Sequence, residues 1–215
     1  MRSLDDARDG LLTVLGRSQD LGFLGPKDIH GQLAHSVAFA EVVERLLPIH
    51  ERQRPGLVDL GSGGGIPGLV IATLLPALKV CFVDSSQKRM LILDEHLDLL
   101  GLRARCEIVC TRAEEFGRTV QNRGRFDAVV ARGFAGPGVT AECAAPLLRQ
   151  GGWLVVSDAP DESVDRWPQD GLATVGLRRA ETVRAPFHFF VGVQAGPCPS
   201  SFPRRVGIPE KRPIF

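Results

Sequence analysis

The residues best placed to do chemistry are two acids, Asp59 and Asp84, and the glycines between them in L-V-D-L-G-S-G-G-G-I-P-G, Leu57 to Gly68. Gly61, Gly63, Gly64 and Gly65 fall within five positions, a density that lets a backbone turn tightly and approach a ligand with no Cβ in the way. Gly61, Ser62, Gly63 and Gly65 form the candidate cradle for a nucleotide-like ligand. Gly63, Gly65 and Gly68 also satisfy G-x-G-x-x-G, so a dinucleotide such as NAD has to be considered. Two features disfavour a pyrophosphate. Asp59 stands two residues before the first glycine, and Pro67 removes a donor from the helix end that would bind the anion. S-adenosylmethionine carries an ammonium and a sulfonium and no phosphate, so a carboxylate beside the loop attracts it. Asp84 can accept hydrogen bonds from ribose hydroxyls and suits either ligand. A glycine-rich turn that binds nothing is the remaining reading.

The elements that must hold these residues follow from the hydrophobic pattern. Leu57 to Leu60 is a short apolar run with one acid, as in a buried parallel strand, and Leu69 to Leu75 reads as the helix behind it. Further strands are expected at Lys79 to Val83, Cys106 to Cys110, Phe126 to Ala131 and Trp153 to Ser157, with helices at Gln87 to Leu100 and Val139 to Leu148. Two last strands, around Ala180 to Val183 and Phe187 to Val193, follow without a long helix between them. The pattern predicts a doubly wound α/β domain with a seven-stranded, mostly parallel sheet and an antiparallel end. In front of it, Leu4 to Leu15, with Gly16 as a stop, and Gln32 to Leu47, ended by Pro48, predict two helices. The expected divisions are a helical cap over 1–54, the main domain over 55–200 and a basic, proline-rich tail over 201–215.

This layout brings more residues to the carboxyl edge of the sheet, where ligands bind in such folds. The turn Thr111-Arg112-Ala113-Glu114-Glu115 lies there, as does Arg132 just past the fourth strand. His35, in the second helix, could contact a substrate but more simply packs. The tail S-F-P-R-R-V-G-I-P-E-K-R-P-I-F holds Arg204, Arg205, Lys211 and Arg212 against one acid, Glu210, and its three prolines should keep it out of a helix. Cations on an extended arm suit phosphate contacts; a tail packed on its own sheet is the alternative.

Composition excludes several classes. A formal net charge of +1 over 215 residues describes an ordinary domain rather than a polycation. No apolar run is long enough to span a bilayer, and early Asp5, Asp6 and Asp9 do not suit a signal peptide, so a cytoplasmic protein with no membrane partner is expected. Five cysteines, Cys81, Cys106, Cys110, Cys143 and Cys198, contain no C-x-x-C pair; reduced core thiols and no metal site are expected. A monomer is expected as well.

Taken together, V-D-L-G-S-G-G-G-I-P-G at 58–68, F-V-D-S-S-Q-K-R at 82–89, T-R-A-E-E-F-G at 111–117, F-D-A-V-V-A-R at 126–132 and P-R-R-V-G-I-P-E-K-R-P at 203–213 resemble the RsmG (GidB) family of methyltransferases. That family modifies guanine N7 in 16S ribosomal RNA. The resemblance implies a class I S-adenosylmethionine-dependent methyltransferase fold and small-subunit ribosomal RNA as partner. It implies that Gly61 and Ile66 contact the cofactor, that Ala113 and Glu114 hold its adenine end, and that Arg132 lines the cofactor and target pocket. Asp59 and Asp84 occupy the usual acidic positions of the class. Guanine N7 has a lone pair and no proton, so no catalytic acid or base is expected; positioning and exclusion of water would suffice. Arg132 and Phe134 are candidates to hold the base, and Arg204, Arg205 and Lys211 to meet the RNA. The chain differs from the family at Ala34-His35-Ser36, where an Arg-His-Phe-Leu-Asp-Ser segment is usual, and at Ser157-Asp158-Ala159-Pro160, where a lysine before glycine is usual. Alternatives are a small-molecule methyltransferase of the same fold, an NAD-linked oxidoreductase and a non-catalytic RNA-binding relative.

Overall fold

A computed structural model describes residues 1, 3–26, 28–47, 54–159, 165–183 and 186–215. These form two compact units, residues 1–111 and 112–215. The first holds α1 (Arg8–Asp20), α2 (Ile29–Leu46), β1 (Gly56–Leu60), α3 (Gly68–Leu74), β2 (Lys79–Asp84), α4 (Gln87–Leu99) and β3 (Cys106–Cys110). The second holds α5 (Ala113–Arg118), β4 (Phe126–Ala131), α6 (Pro137–Ala144), β5 (Leu148–Ser157), α7 (Gln169–Ala173), β6 (Leu177–Val183), β7 (Phe189–Gln194) and α8 (Ile208–Lys211). The expected seven-stranded, mostly parallel sheet is present.

In the first unit the strands run in the order β3, β2, β1, all parallel, with Asp59 opposite Phe82 and Asp84 opposite Cys110. Every residue of α3 is buried, because β2 lies on one side and α2 on the other. That is why its sequence is apolar all round rather than amphipathic. Within this unit α1 packs on α2 and α4, and α2 packs on α3.

Helix boundaries shift for local reasons. Gly16 does not stop α1; Leu11, Val14, Leu15 and Ser18 are buried along a continuous face, and this packing overrides the weak helix propensity of one glycine. The stop is Gly22, whose φ of 72° supplies the left-handed residue that ends a helix. Helix α2 starts earlier than expected because the Asp28 carboxylate accepts the Gly31 N–H at 2.9 Å. Pro48, expected to end it, lies outside the described residues. His35 meets Phe39 edge-on, with ring centroids 5.3 Å apart.

In the second unit the order is β4, β5, β7, β6, with β5–β7 and β7–β6 antiparallel, as the missing long helix implied. Leu148 belongs to β5 and not to a helix, since Pro146 disfavours helical continuation and α6 ends at Ala144. The polar segment after β5 contains the unexpected helix α7. Asp158, where the family usually has a lysine nearby, accepts Trp167 Nε1–H at 2.9 Å and pairs with Arg166, while Trp167 stacks on Phe190 at 3.9 Å. The tail is not helix-free: Pro209 sits in the first turn of α8, where its lack of an N–H costs nothing. The cysteines form no disulfide, but the core reading holds only for Cys81 and Cys143; Cys106 and Cys198 are half-buried and Cys110 is exposed. Burial raises the Cys106 and Cys198 thiols to about 11, against the neighbouring Arg105 and Arg123 respectively, which keeps them protonated.

His96 on α4 is completely buried, and neither ring nitrogen has a hydrogen-bond partner among the described residues. Burial, reinforced by Arg17 and opposed by Glu95, lowers its pKa to about 4. The folded value lies below the unfolded one, so the neutral ring's contribution is complete above the unfolded pKa of about 6.5 and is lost as pH falls toward 4. Between pH 8 and pH 5 this group should remove about 2 kcal/mol of stability. Urea unfolding of the unmodified chain and of His96→Leu at both pH values checks this: the variant should lose about 2 kcal/mol less on acidification, and equal losses would show that His96 is not the titrating group.

Candidate cofactor and RNA site

In the first unit the strand tips and the glycine loop are tied together by the two acids. Asp59, 1% exposed, sends Oδ2 to accept the Gly68 N–H at 2.9 Å. The first free amide of α3 is thereby taken by a carboxylate of the chain itself, at the positive end of the helix dipole. At Gly68 any Cβ would collide with Asp59 Oδ2 and the Phe82 ring, so the acid and the helix can approach this closely only over a glycine. Gly65 is required for a different reason: its φ is 98°, and a side chain there would enter the space of Leu69. Ser62 Oγ donates to the Asp59 carbonyl at 2.8 Å, and the Gly61 and Ser62 amides donate to the Val83 carbonyl at 2.8 and 3.1 Å. Ile66 is buried beside them.

Asp84, at the end of β2, closes the opposite side of the loop. Its Oδ2 accepts the Gly63 N–H at 2.9 Å and its Oδ1 accepts the Ser86 N–H at 2.8 Å, with Arg89 3.5 Å from Oδ2. Each oxygen keeps a further lone pair, so the acid that fixes the loop can still accept a hydroxyl. All seven residues expected in this part of the site, Asp59, Gly61, Ser62, Gly63, Gly65, Ile66 and Asp84, are thus on one connected strand-loop-helix unit.

The acids placed around the glycine loop suit S-adenosylmethionine better than a phosphorylated ligand. Two buried carboxylates border the loop, and the helix end that binds pyrophosphate in dinucleotide folds is occupied by one of them. Among the described residues no cluster of His, Cys, Asp and Glu could hold a metal ion, and no helix is long and apolar enough to cross a membrane.

The second unit carries the remaining candidates. Ala113 and Glu114 open α5 and are both buried. The Glu114 carboxylate accepts the Gly207 N–H at 3.0 Å and has Arg112 at 3.4 Å. Burial would raise its pKa, but the Gly207 N–H, its own N–H and Arg112 together lower it, so it is ionised. Arg132 and Phe134 follow β4 and are half-buried.

The four tail cations divide. Arg204 is committed to Glu142, a fully buried acid on α6: its backbone N–H and Nε both donate to Oε1, at 2.8 and 2.9 Å, and Nη2 donates to Oε2 at 2.6 Å. The same Nη2 donates to the Arg212 carbonyl at 2.6 Å, which closes residues 204–212 into a loop. Arg205, Lys211 and Arg212 are exposed on that loop. Glu142 was the residue that spacing did not single out. Its signal was a lone acid within A-E-C-A-A-P, an apolar helical run that obliges a cationic partner.

The family model described as rRNA small subunit methyltransferase G matches residues 22–162. Ribosomal RNA small subunit methyltransferase G from Dictyoglomus thermophilum is 31% identical over 184 residues, covering 82% of this chain and 76% of the relative. Its namesake from Thermotoga neapolitana is 34% identical over 188 residues, covering 84% and 81%. Among solved structures, a SAM-dependent O-methyltransferase from Thermotoga maritima superposes with a TM-score of 0.56 at 14% identity, covering 76% of this chain and 65% of its own. The cyclase SpnF does so with a TM-score of 0.53 at 21% identity, covering 68% and 58%. The two structures share the fold and differ in activity, so the fold alone does not assign one. The family match and the identities above assign more than fold, and the chain belongs to the rRNA small subunit methyltransferase G family.

Proposed function

We propose that this chain transfers a methyl group from S-adenosylmethionine to N7 of a guanine in the 16S ribosomal RNA of the small subunit. The observation that carries the cofactor assignment is the Asp59 carboxylate on the Gly68 N–H, which leaves the glycine hollow negatively charged and its helix end closed to phosphate. Family membership carries the RNA assignment. When bound, the cofactor supplies an activated methyl group on a sulfonium.

The residues of this chain bind and orient. Gly61, Ser62, Gly63, Gly65 and Ile66 present bare backbone and one apolar side chain to the cofactor, Asp84 accepts from its ribose, and Ala113 and Glu114 hold its adenine end. Arg132 and Phe134 take the target base, which must leave its stack to expose N7 to them. Because N7 bears no proton, no side chain has to remove one. The rate then depends on holding the base in line and keeping water out. Arg205, Lys211 and Arg212 approach the RNA backbone, while Arg204 serves the tail's own fold.

Methyl label should move from S-adenosylmethionine to naked small-subunit RNA or assembled subunits, and nuclease digestion should release it as 7-methylguanosine. Label appearing only in a metabolite pool would assign a small-molecule substrate instead. Asp59→Asn retains an oxygen for the Gly68 N–H and removes the charge. It should weaken S-adenosylmethionine binding about tenfold, the size of one charge pair acting across roughly 10 Å at an effective dielectric constant near 20. Unchanged affinity would refute the electrostatic role. Replacing Arg205 and Lys211 by alanine should lower the slope of log affinity for RNA against log salt by about one for each residue; an unaltered slope would remove the tail from the RNA site.

A further inference from the structure

The tail is a folded strap rather than a free arm, and what it touches is informative. Its lead-in is gathered by two arginines. Arg123 donates to the carbonyls of Phe202, Cys198 and Pro199 at 2.5, 3.2 and 3.1 Å, and Arg118 donates to that of Pro203 at 3.2 Å. Pro203 is buried against Gly117, where any Cβ would press on its ring. Arg204 then pins the strap to Glu142, and the last residue, Phe215, lies on Gly138 and Gly171, neither of which leaves room for a side chain.

Between the Arg204 pin and the Arg212 carbonyl it holds, the chain turns at Gly207 with φ of 78°. That left-handed residue directs its N–H to Glu114 Oε1 at 3.0 Å. A buried carboxylate needs donors to stay charged in place, and here one of them comes from a segment more than ninety residues away in sequence. The arrangement links two functions that are separate in sequence. The same closed loop that displays Arg205, Lys211 and Arg212 also fixes the acid assigned to the cofactor.

We propose that the strap 203–212 is a positioning element of the cofactor site. Gly207 sets the Glu114 carboxylate through its N–H, and the Arg204–Glu142 pin holds Gly207 in place, so that strap docking and cofactor binding favour each other. This rests on the assignment of Glu114 to the cofactor made above. Binding linkage is reciprocal: a strap that raises cofactor affinity must itself be held more firmly when the cofactor is present. RNA engaging the three exposed cations would then act on cofactor affinity through this one hydrogen bond.

The test measures S-adenosylmethionine binding by calorimetry for the unmodified chain, Glu114→Gln, Glu114→Ala, Gly207→Pro, Arg204→Ala and the Glu114→Ala/Gly207→Pro double variant. It also measures tryptic cleavage after Arg205 and Lys211 in the unmodified chain with and without the cofactor. Gly207→Pro and Arg204→Ala should each raise the dissociation constant about five- to tenfold, and the double variant should be no weaker than Glu114→Ala alone, which leaves the Gly207 N–H no acceptor. The KM for the cofactor should rise with kcat held within about twofold, and saturating cofactor should slow tail cleavage by a matching factor. If Glu114→Gln weakens binding while Gly207→Pro and Arg204→Ala do not, or if cleavage is unaffected by bound cofactor, the linkage is overturned. If Glu114→Gln binds normally, the assignment of Glu114 fails, and the linkage with it. The cleavage experiment needs no variant, so a misfolded substitution cannot decide the outcome.

Discussion

The Asp59 carboxylate seated on the first amide of α3 is the constraint on which the first unit turns. It explains the close passage of strand and helix at Gly68, where a side chain would strike both the acid and Phe82. It also sets the character of the hollow. A helix N-terminus is ordinarily an invitation to an anion, and here the anion is built in. The glycine loop lies between Asp59, which accepts the first amide of α3, and Asp84, which accepts the Gly63 and Ser86 amides, so the backbone cradle is held in place by two carboxylates.

The second unit applies the same device elsewhere. Glu142 is an acid with no exposed surface, satisfied by the backbone and guanidinium of Arg204 in a fork that a lysine could not reproduce. A buried pair of this kind adds little net stability over apolar packing, but removing one partner leaves the other charge stranded. Its value is therefore in specifying where the strap sits. That placement brings the Gly207 N–H to the Glu114 carboxylate, which also has its sequence neighbour Arg112 at 3.4 Å.

Local pattern made most of the fold legible. The parallel strands within each unit, the glycine loop and the antiparallel end were readable because apolar runs and glycines report on their immediate neighbours. Asp59 and Asp84 were legible as acids near the ends of β1 and β2 for the same reason. Three things were not. Gly16 reads as a stop, yet packing along Leu11, Val14 and Leu15 carries the helix past it to Gly22. The prolines of the tail read as helix breakers, yet Pro209 falls where a proline is tolerated. And Arg204 reads as one more surface cation, because its partner Glu142 lies 62 positions earlier and only tertiary structure joins them. For Gly16 and Arg204 a tertiary contact decided against the local reading, and for Pro209 the position within the helix did.

The central claim is that a built-in carboxylate makes the glycine hollow a site for a positively charged sulfur compound and closes it to a phosphorylated one. Calorimetric titration of the unmodified chain with S-adenosylmethionine and, under identical buffer and salt, with NAD tests this most directly. The account predicts saturable binding of the sulfonium compound and no measurable binding of the dinucleotide; tighter binding of NAD, or equal affinity for both, would contradict it.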